Sequence, residues 1–453
     1  RVPREGGRRP GDSEPSETGA EVFSRLVLEA GLGWNREEAI RSGHLAYATE
    51  WRQAIASVFM DHYQAACLLP PTPVAQVASW ALAGRSIERL ETVRRELGRG
   101  AKELPLLIAD GSDPASLEPL VNRSRVICST VGPYARHGSN LVAACARAGT
   151  DYCDITGEVQ WVRRMIDAWE TTAREHGARL LHCCGFDSIP SDLGCLFAQS
   201  VYRERFGAPA DEVKLFVRKV RGQFSGGTYA SLLNALAEAR SDPEARRTLG
   251  HPYGLNPRDA QSGPDGPDQR TPVYDEDMAS WTAPFVMAPV NTRVVRRSNA
   301  ISGYPYGASF RYREAVLTGS GPAGWAKAAG MTAALAGFIT AVATRPARET
   351  IQRMFLPEPG EGPSRERRES GFFDIRLVAR STAGDQRIVV KVTADRDPGY
   401  GATSRMLGET ALALAAGEAL VDGGSRTPAT ALGAGLIDRL RRHAGMSFEE
   451  APS

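Results

Sequence analysis

The sequence predicts an α/β protein in which a doubly wound parallel-sheet domain precedes a second, α+β domain with a mixed or antiparallel sheet. Three observations lead there. Short apolar runs at 79–83, 105–109, 125–129, 151–155 and 179–183 begin 20 to 28 residues apart, the length of a strand plus a crossover helix. Helix-length segments with charged faces separate them. Beyond Glu212 the period shortens to alternation in EVKLFVRKV, TRVVRRSNAI, SFRYREAVL, FFDIRLVARS and QRIVVKVTA.

Taken in order, residues 1–20 are dense in Gly, Pro and charge and read as a disordered tail. The segment 21–78 is atypical, with helical spacing over 20–60 and a boundary at Pro70, Pro71 and Pro73. The Rossmann-like domain occupies 79–195. Pro105 can only open its strand, because proline has no N–H to give a ladder. The helices between strands fall at 87–97, with six charged residues on its wet face, and at 141–148, small and apolar. The second domain spans 196–399. Its last two strands are joined by Thr382-Ala383-Gly384-Asp385 and form a hairpin, while 241–275, rich in Pro, Gly, Asp and Arg, reads as a surface loop. Helices at 406–420 and 432–443, within 400–445, pack back on the first domain.

Composition removes several classes of function. At 453 residues and 42% hydrophobic content the chain fills two or three domains. Lys plus Arg number 55 against 53 Asp plus Glu, so a formal charge of +2 argues against a nucleic-acid partner. Seven cysteines form no C-x-x-C pair and read as reduced core residues of an intracellular, cytoplasmic or lipid-associated protein. Seven scattered histidines show no ligand spacing, so no metal is expected. Between 323 and 343 runs a charge-poor stretch rich in Ala, Gly and Thr, read as a buried helix or a peripheral membrane or lipid-droplet contact, a true span being the lesser alternative. The chain opens on Arg1 rather than Met and reads as a fragment.

The strand ends carry the chemistry, since open parallel sheets bind ligands at their carboxyl edge. WALAGRS ends in Gly84, Arg85 and Ser86, where Arg followed by Ser suits a 2′-phosphate and favours NADP(H) over NAD(H); a capped polar loop is the alternative. PLLIAD places Asp110 at the next exit, facing an adenine or capping the following helix. In CSTVGPYARHG, backbone groups of Thr130, Val131 and Gly132 can approach a pyrophosphate and nicotinamide ribose. Pro133 stiffens this turn, and Tyr134 packs on the nicotinamide side. DYCDITGE and GFDSIPSDLG supply the pocket candidates Asp154, Thr156, Glu158, Phe186, Asp187, Ser188, Ser191 and Asp192, with caps and turns as the competing explanation. No proton donor or acceptor is identified among them.

These blocks, followed in the same order by FSGGT, MAPVNTRVVRRSNA, DPGYGATSRMLGE and RTPATALG, resemble the saccharopine dehydrogenase-like oxidoreductases, including trans-acting enoyl reductases of bacterial lipid synthesis. The resemblance covers about 79–440. It implies an NAD(P)-binding domain, a mixed-sheet domain and a role in reducing lipid or glycolipid precursors, with lipid droplets or membranes as the setting of eukaryotic relatives. Such proteins open with a strand and a glycine-rich turn that do not occur before Ser79; Gly31-x-Gly33-x-x-Arg36 comes nearest and lacks the third glycine. Two functions therefore stand at this point. One is an NAD(P)H-dependent enoyl-reductase-like enzyme acting on a lipid-like molecule. The other is a non-catalytic, lipid-associated relative without tight cofactor binding.

Overall fold

The computed structural model describes residues 80–97, 101–222, 226–341 and 369–451. The expected tail at 1–20, the segment at 21–78 and the glycine candidate at 31–36 lie outside them.

Strand β1 (Leu82–Gly84) leads into α1 (Ile87–Glu96), and β2 (Leu106–Ile108) pairs with β1 in parallel. Pro105 opens β2, its carbonyl accepting from the Leu82 N–H at 3.0 Å. There follow α2 (Pro114–Asn122), β3 (Val126–Ser129), α3 (Tyr134–His137), α4 (Ser139–Ala148), β4 (Asp151–Asp154), α5 (Val159–His176), β5 (Arg179–Leu181) and α6 (Ile189–Phe206). Gly149 ends α4 at φ 73°, and a Cβ there would also sit 2.5 Å from the His176 carbonyl oxygen, so only glycine suits both demands. Strands β3, β4 and β5 lie side by side in parallel.

The pair β1–β2 and the set beginning at β3 are separate ladders, and among the described residues no strand bridges them. In the doubly wound order 3-2-1-4-5-6, the position between them belongs to the fold's first strand. Packing nonetheless runs across the gap. Leu82 shares an apolar cluster with Val126 and Leu181 on one face, and Leu107 shares another with Ile127 and Leu180 on the opposite face.

The second unit contains β6 (Glu212–Arg221), α7 (Gly226–Ser241), α8 (Pro243–Gly250), β7 (Val273–Asp275), β8 (Ser280–Pro284), α9 (Ala288–Ile301), β9 (Arg311–Gly319), α10 (Gly321–Ala341), β10 (Phe372–Arg380) and β11 (Arg387–Ala394). A π-helical turn at Pro398–Ala402 precedes α11 (Thr403–Ala415). β12 (Gly424–Arg426) then adds to β5 in parallel, α12 (Pro428–His443) follows, and β13 (Met446–Glu450) joins the second sheet beside β11. That seven-stranded sheet runs β13-β11-β10-β6-β9-β8-β7, antiparallel except between β6 and β9. The β10–β11 hairpin is the one the alternation predicts. α11 covers β3 and β4, and α6 packs on β10 and β11, where Gly194 admits Leu377 and Val392. One apolar cluster thereby includes both Leu181 of the parallel sheet and Leu377 of the mixed one.

Two expectations fail, for one reason. TRVVRRSNAI is not a strand but most of α9, and 241–275 is not a loose surface loop. Arg293, Arg296 and Arg297 of α9 are buried, so its charges point inward. The segment before them supplies the partners: Asp268 pairs with Arg293, Asp265 with Arg296 at 2.6 Å, and the Leu255 carbonyl accepts from Arg297 at 2.7 Å. Buried guanidiniums need such partners, and the partners fix the segment. Burial also holds the Arg297 guanidinium down to about 10.

Residues 323–341 of the stretch 323–343 fall on α10, whose Gly324 and Ala328 are buried while Trp325, Met331 and Ile339 are substantially exposed. Among the described residues no helix is long and apolar enough to cross a membrane.

Candidate functional site

The carboxyl ends of β3, β4 and β5 converge on one edge. After β3 the chain turns through Thr130, Val131 and Gly132, with a cis peptide before Pro133, into α3. Glu158, at the start of α5, grips this turn from behind: its carboxylate accepts the N–H of Tyr134 at 2.7 Å and of Ala135 at 3.1 Å, the Ser231 hydroxyl at 3.0 Å and the Asn234 amide at 3.4 Å. Burial pushes its carboxyl up, and those donors pull it back only in part. Tyr134 donates its hydroxyl to the Ser129 carbonyl at 3.1 Å and sets its ring 5.5 Å from Trp161; burial and then Asp154 keep the phenol well above its ordinary value, hence protonated.

Asp154 ties β4 to β5. Its carboxylate accepts the N–H of Thr156 at 3.0 Å and of Cys183 at 3.2 Å, and meets the His182 ring nitrogen Nδ1 at 2.7 Å. Cys183 holds a left-handed conformation, φ 63°, as the chain leaves β5. The next loop is pinned by Thr403, whose hydroxyl accepts from the Phe186 N–H at 3.0 Å and donates to the Pro398 carbonyl at 2.6 Å. Gly185 must be glycine there, since a Cβ would lie 2.7 Å from Thr403 Cγ2. Ser188 hydrogen-bonds Asn291, and buried Asp192 accepts from Ser298 and from the Ala429 N–H. Burial pushes Asp192 up to about 6, and Glu314, bonded to Tyr312 and Asn291, up to about 7.

Across the gap, Gly84, Arg85 and Ser86 close β1 and Asp110 follows β2. Arg85 stands 3.8 Å from Asp110, its side chain largely covered and its Nε buried without a partner. Ser86 caps α1 through the Arg89 N–H, and Asp110 accepts from the Ser112 N–H and hydroxyl.

A cavity of about 710 Å³ opens on this edge. Thr130, Gly132, Pro133, Tyr134, Phe186 and Asp187 line it; Gly84, Arg85, Ser86, Asp110, Val131, Asp154, Thr156, Glu158, Ser188, Ser191 and Asp192 do not. The first four of these stand apart at β1 and β2, and Asp154 and Glu158 support the lining from behind. The facing walls come from the second unit: Val217 of β6, Leu236 of α7, Met287 at the start of α9, and Leu335 and Ile339 of α10. Sequence reasoning attached no chemistry to them, because apolar residues on a sheet or helix look alike whether they face a core or a cavity. The charge-poor composition of 323–343 was the signal available.

Among the polar lining residues, Arg293 and Asp268 neutralise each other, and Arg246 and Arg270 are exposed. Asp187 differs. Its carboxyl lies beside Gly157, where a methyl would sit 3.6 Å from Oδ2, and burial alone pushes it up to about 7.

No family model matches the chain. Among curated proteins, one named as a candidate trans-acting enoyl reductase of Mycobacterium tuberculosis (strain ATCC 25618 / H37Rv) is 43% identical over 380 residues, 82% of this chain and 90% of that protein. The trans-acting enoyl reductase of Mycobacterium ulcerans (strain Agy99) is 40% identical over 373 residues, covering 80% of this chain and 88% of that one. Among solved structures, apo saccharopine dehydrogenase (L-Glu forming) from Saccharomyces cerevisiae aligns with 87% of this chain and 97% of its own at TM-score 0.46 and 12% identity.

Proposed function

This chain belongs to the trans-acting enoyl reductase family and is an oxidoreductase, and from that premise we propose that it reduces the α,β-double bond of an apolar enoyl substrate with a nicotinamide dinucleotide. The observation that carries the reading is the cavity itself, whose mostly apolar walls end on the Thr130–Tyr134 turn at the carboxyl edge of the parallel sheet. Membership in a family of enzymes sets the catalytic reading ahead of the non-catalytic one.

The residues fit the cofactor at two points. Gly132 leaves its face of the turn open: a Cβ added there would find the Tyr134 ring as its nearest neighbour, at 3.5 Å, so a ribose can approach the backbone. Arg85 offers a buried Nε without a partner at the end of β1, the place where a ribose phosphate is read. When bound, a nicotinamide supplies the hydride. Glu158 fixes the turn the ring lies against, and the walls of β6, α7 and α10 exclude water from the double bond.

Titration with NADPH and NADH, followed by nicotinamide fluorescence, tests the cofactor preference. NADPH is expected to bind more tightly, and Arg85→Asp to weaken it about tenfold or more, the effect of losing one charge-assisted contact worth ~1.5–3 kcal/mol. Equal affinities that ignore the substitution would remove the preference for NADPH.

The α10 wall sets the length of chain admitted. Ala336 lines the cavity, so Ala336→Phe should raise KM for a long-chain 2-enoyl thioester about tenfold and leave a short-chain one unchanged. An equal effect on both would mean that α10 does not measure the chain. Trp325 and Met331, exposed on α10, also support peripheral contact with a lipid surface.

A further inference from the structure

We propose that Asp187 is the proton donor of the reduction, a role that rests on the reductase reading above. Reducing an enoyl group requires two deliveries. A hydride adds to the β-carbon and the π electrons move toward the carbonyl as an enolate. The α-carbon then takes a proton and the enolate collapses to the saturated acyl group. The reductant is the nicotinamide; the proton must come from the wall of the cavity.

The wall offers few sources. Tyr134 commits its hydroxyl to the Ser129 carbonyl, and Ser231 donates to Glu158. Asp268 is held by Arg293 and Thr292. Guanidinium groups do not give up a proton in proteins, which sets aside Arg246, Arg270 and Arg293. The other buried acids near the edge, Asp154, Glu158, Asp192 and Glu314, do not line the cavity and are bound to named partners. Among the described lining carboxyls that leaves Asp187, which lies against Gly157 on the cavity side of the loop after β5 and is far more acidic than the threonine hydroxyls beside it.

The setting also keeps the proton in place until it is needed. Charged or titratable groups around it are Cys183 on its own loop, Glu158 and Tyr134 on the neighbouring turns, the Arg293–Asp268 pair on α9 and its flanking segment, and Arg246 and Arg270 toward solvent. None of them moves the carboxyl, and burial alone raises it to about 7. A donor matched to neutral pH is the efficient one. After each turnover the carboxylate regains its proton from water.

The test compares the full chain with Asp187→Asn on a 2-enoyl thioester and NADPH, with turnover measured across neutral pH and cofactor affinity and melting temperature measured alongside. Wild-type kcat should fall as pH rises through about 7. Asp187→Asn should lose roughly 100-fold or more in kcat and lose that limb, while NADPH affinity stays within about twofold. Its melting temperature near pH 8 should rise, because the folded wild type then carries a carboxylate that the unfolded chain holds in water. A wild-type rate that stays flat across this range would overturn the assignment even if the variant failed to fold. Unimpaired turnover in Asp187→Asn sinks the proton donor alone, whereas a wild-type chain that binds NADPH yet reduces no enoyl thioester sinks the reductase reading and the donor with it.

Discussion

Glu158→Ala should cost about 2–4 kcal/mol of stability and loosen the Thr130–Tyr134 turn, the proposed nicotinamide edge. The carboxylate accepts two backbone N–H groups at the start of α3 and two side chains of α7, in a position with no solvent exposure. Alanine leaves those backbone donors buried and unpaired, at ~1–3 kcal/mol each. The loss also frees the turn proposed to present Thr130 and Gly132 to the cofactor, so on that proposal turnover should fall more than cofactor-independent stability requires. Glu158→Gln keeps one acceptor oxygen and should fall between alanine and wild type. Denaturant titration and single-turnover hydride transfer measure the two parts separately. An alanine variant as stable as wild type would mean that the turn holds itself.

Asp154→Ala should be at least as damaging to the fold, at about 3–5 kcal/mol. Asp154 is fully buried and stitches two strand exits, binding Thr156 on its own side and both Cys183 and His182 on the other. His182 has its second ring nitrogen already buried without a partner, so removing Asp154 strips the ring of its remaining polar contact. The left-handed Cys183 is released at the same time. Asp154→Asn, which retains an acceptor for the two N–H groups, should recover much of the loss. Calorimetry on the two variants decides it: equal stabilities for Asp154→Ala and wild type would show that packing alone holds these loops.

Much of this architecture is legible in the sequence because its signals are periodic. Apolar runs spaced by a crossover length give the parallel strands, and the alternation of 372–394 gives the hairpin. α9 is illegible for a physical reason: its arginines are buried, and their partners lie on a segment whose composition reads as loop. The site divides in the same way. Thr130, Gly132, Pro133, Tyr134, Phe186 and Asp187, which line the cavity, stand at strand ends, where the fold puts ligands. Glu158 and Asp154 share that position, but their service behind the lining depends on which backbone N–H groups they meet, and no spacing records that. Nor does sequence reveal that Asp187 faces the cavity with burial, rather than a paired cation, setting the state of its carboxyl.

The wall formed by α10 has a consequence for how such a protein can diversify. On the proposed function, the groups next to the reacting carbons would come from the β3 and β5 exits, whereas the far wall of the cavity comes from a helix more than a hundred residues later, packed on β8 and β9. If the proposal holds, selection could lengthen, shorten or reshape what is accepted by exchanging side chains on one helix, leaving the geometry of bond reduction untouched. Chemistry and choice of molecule would then be inherited as separable parts.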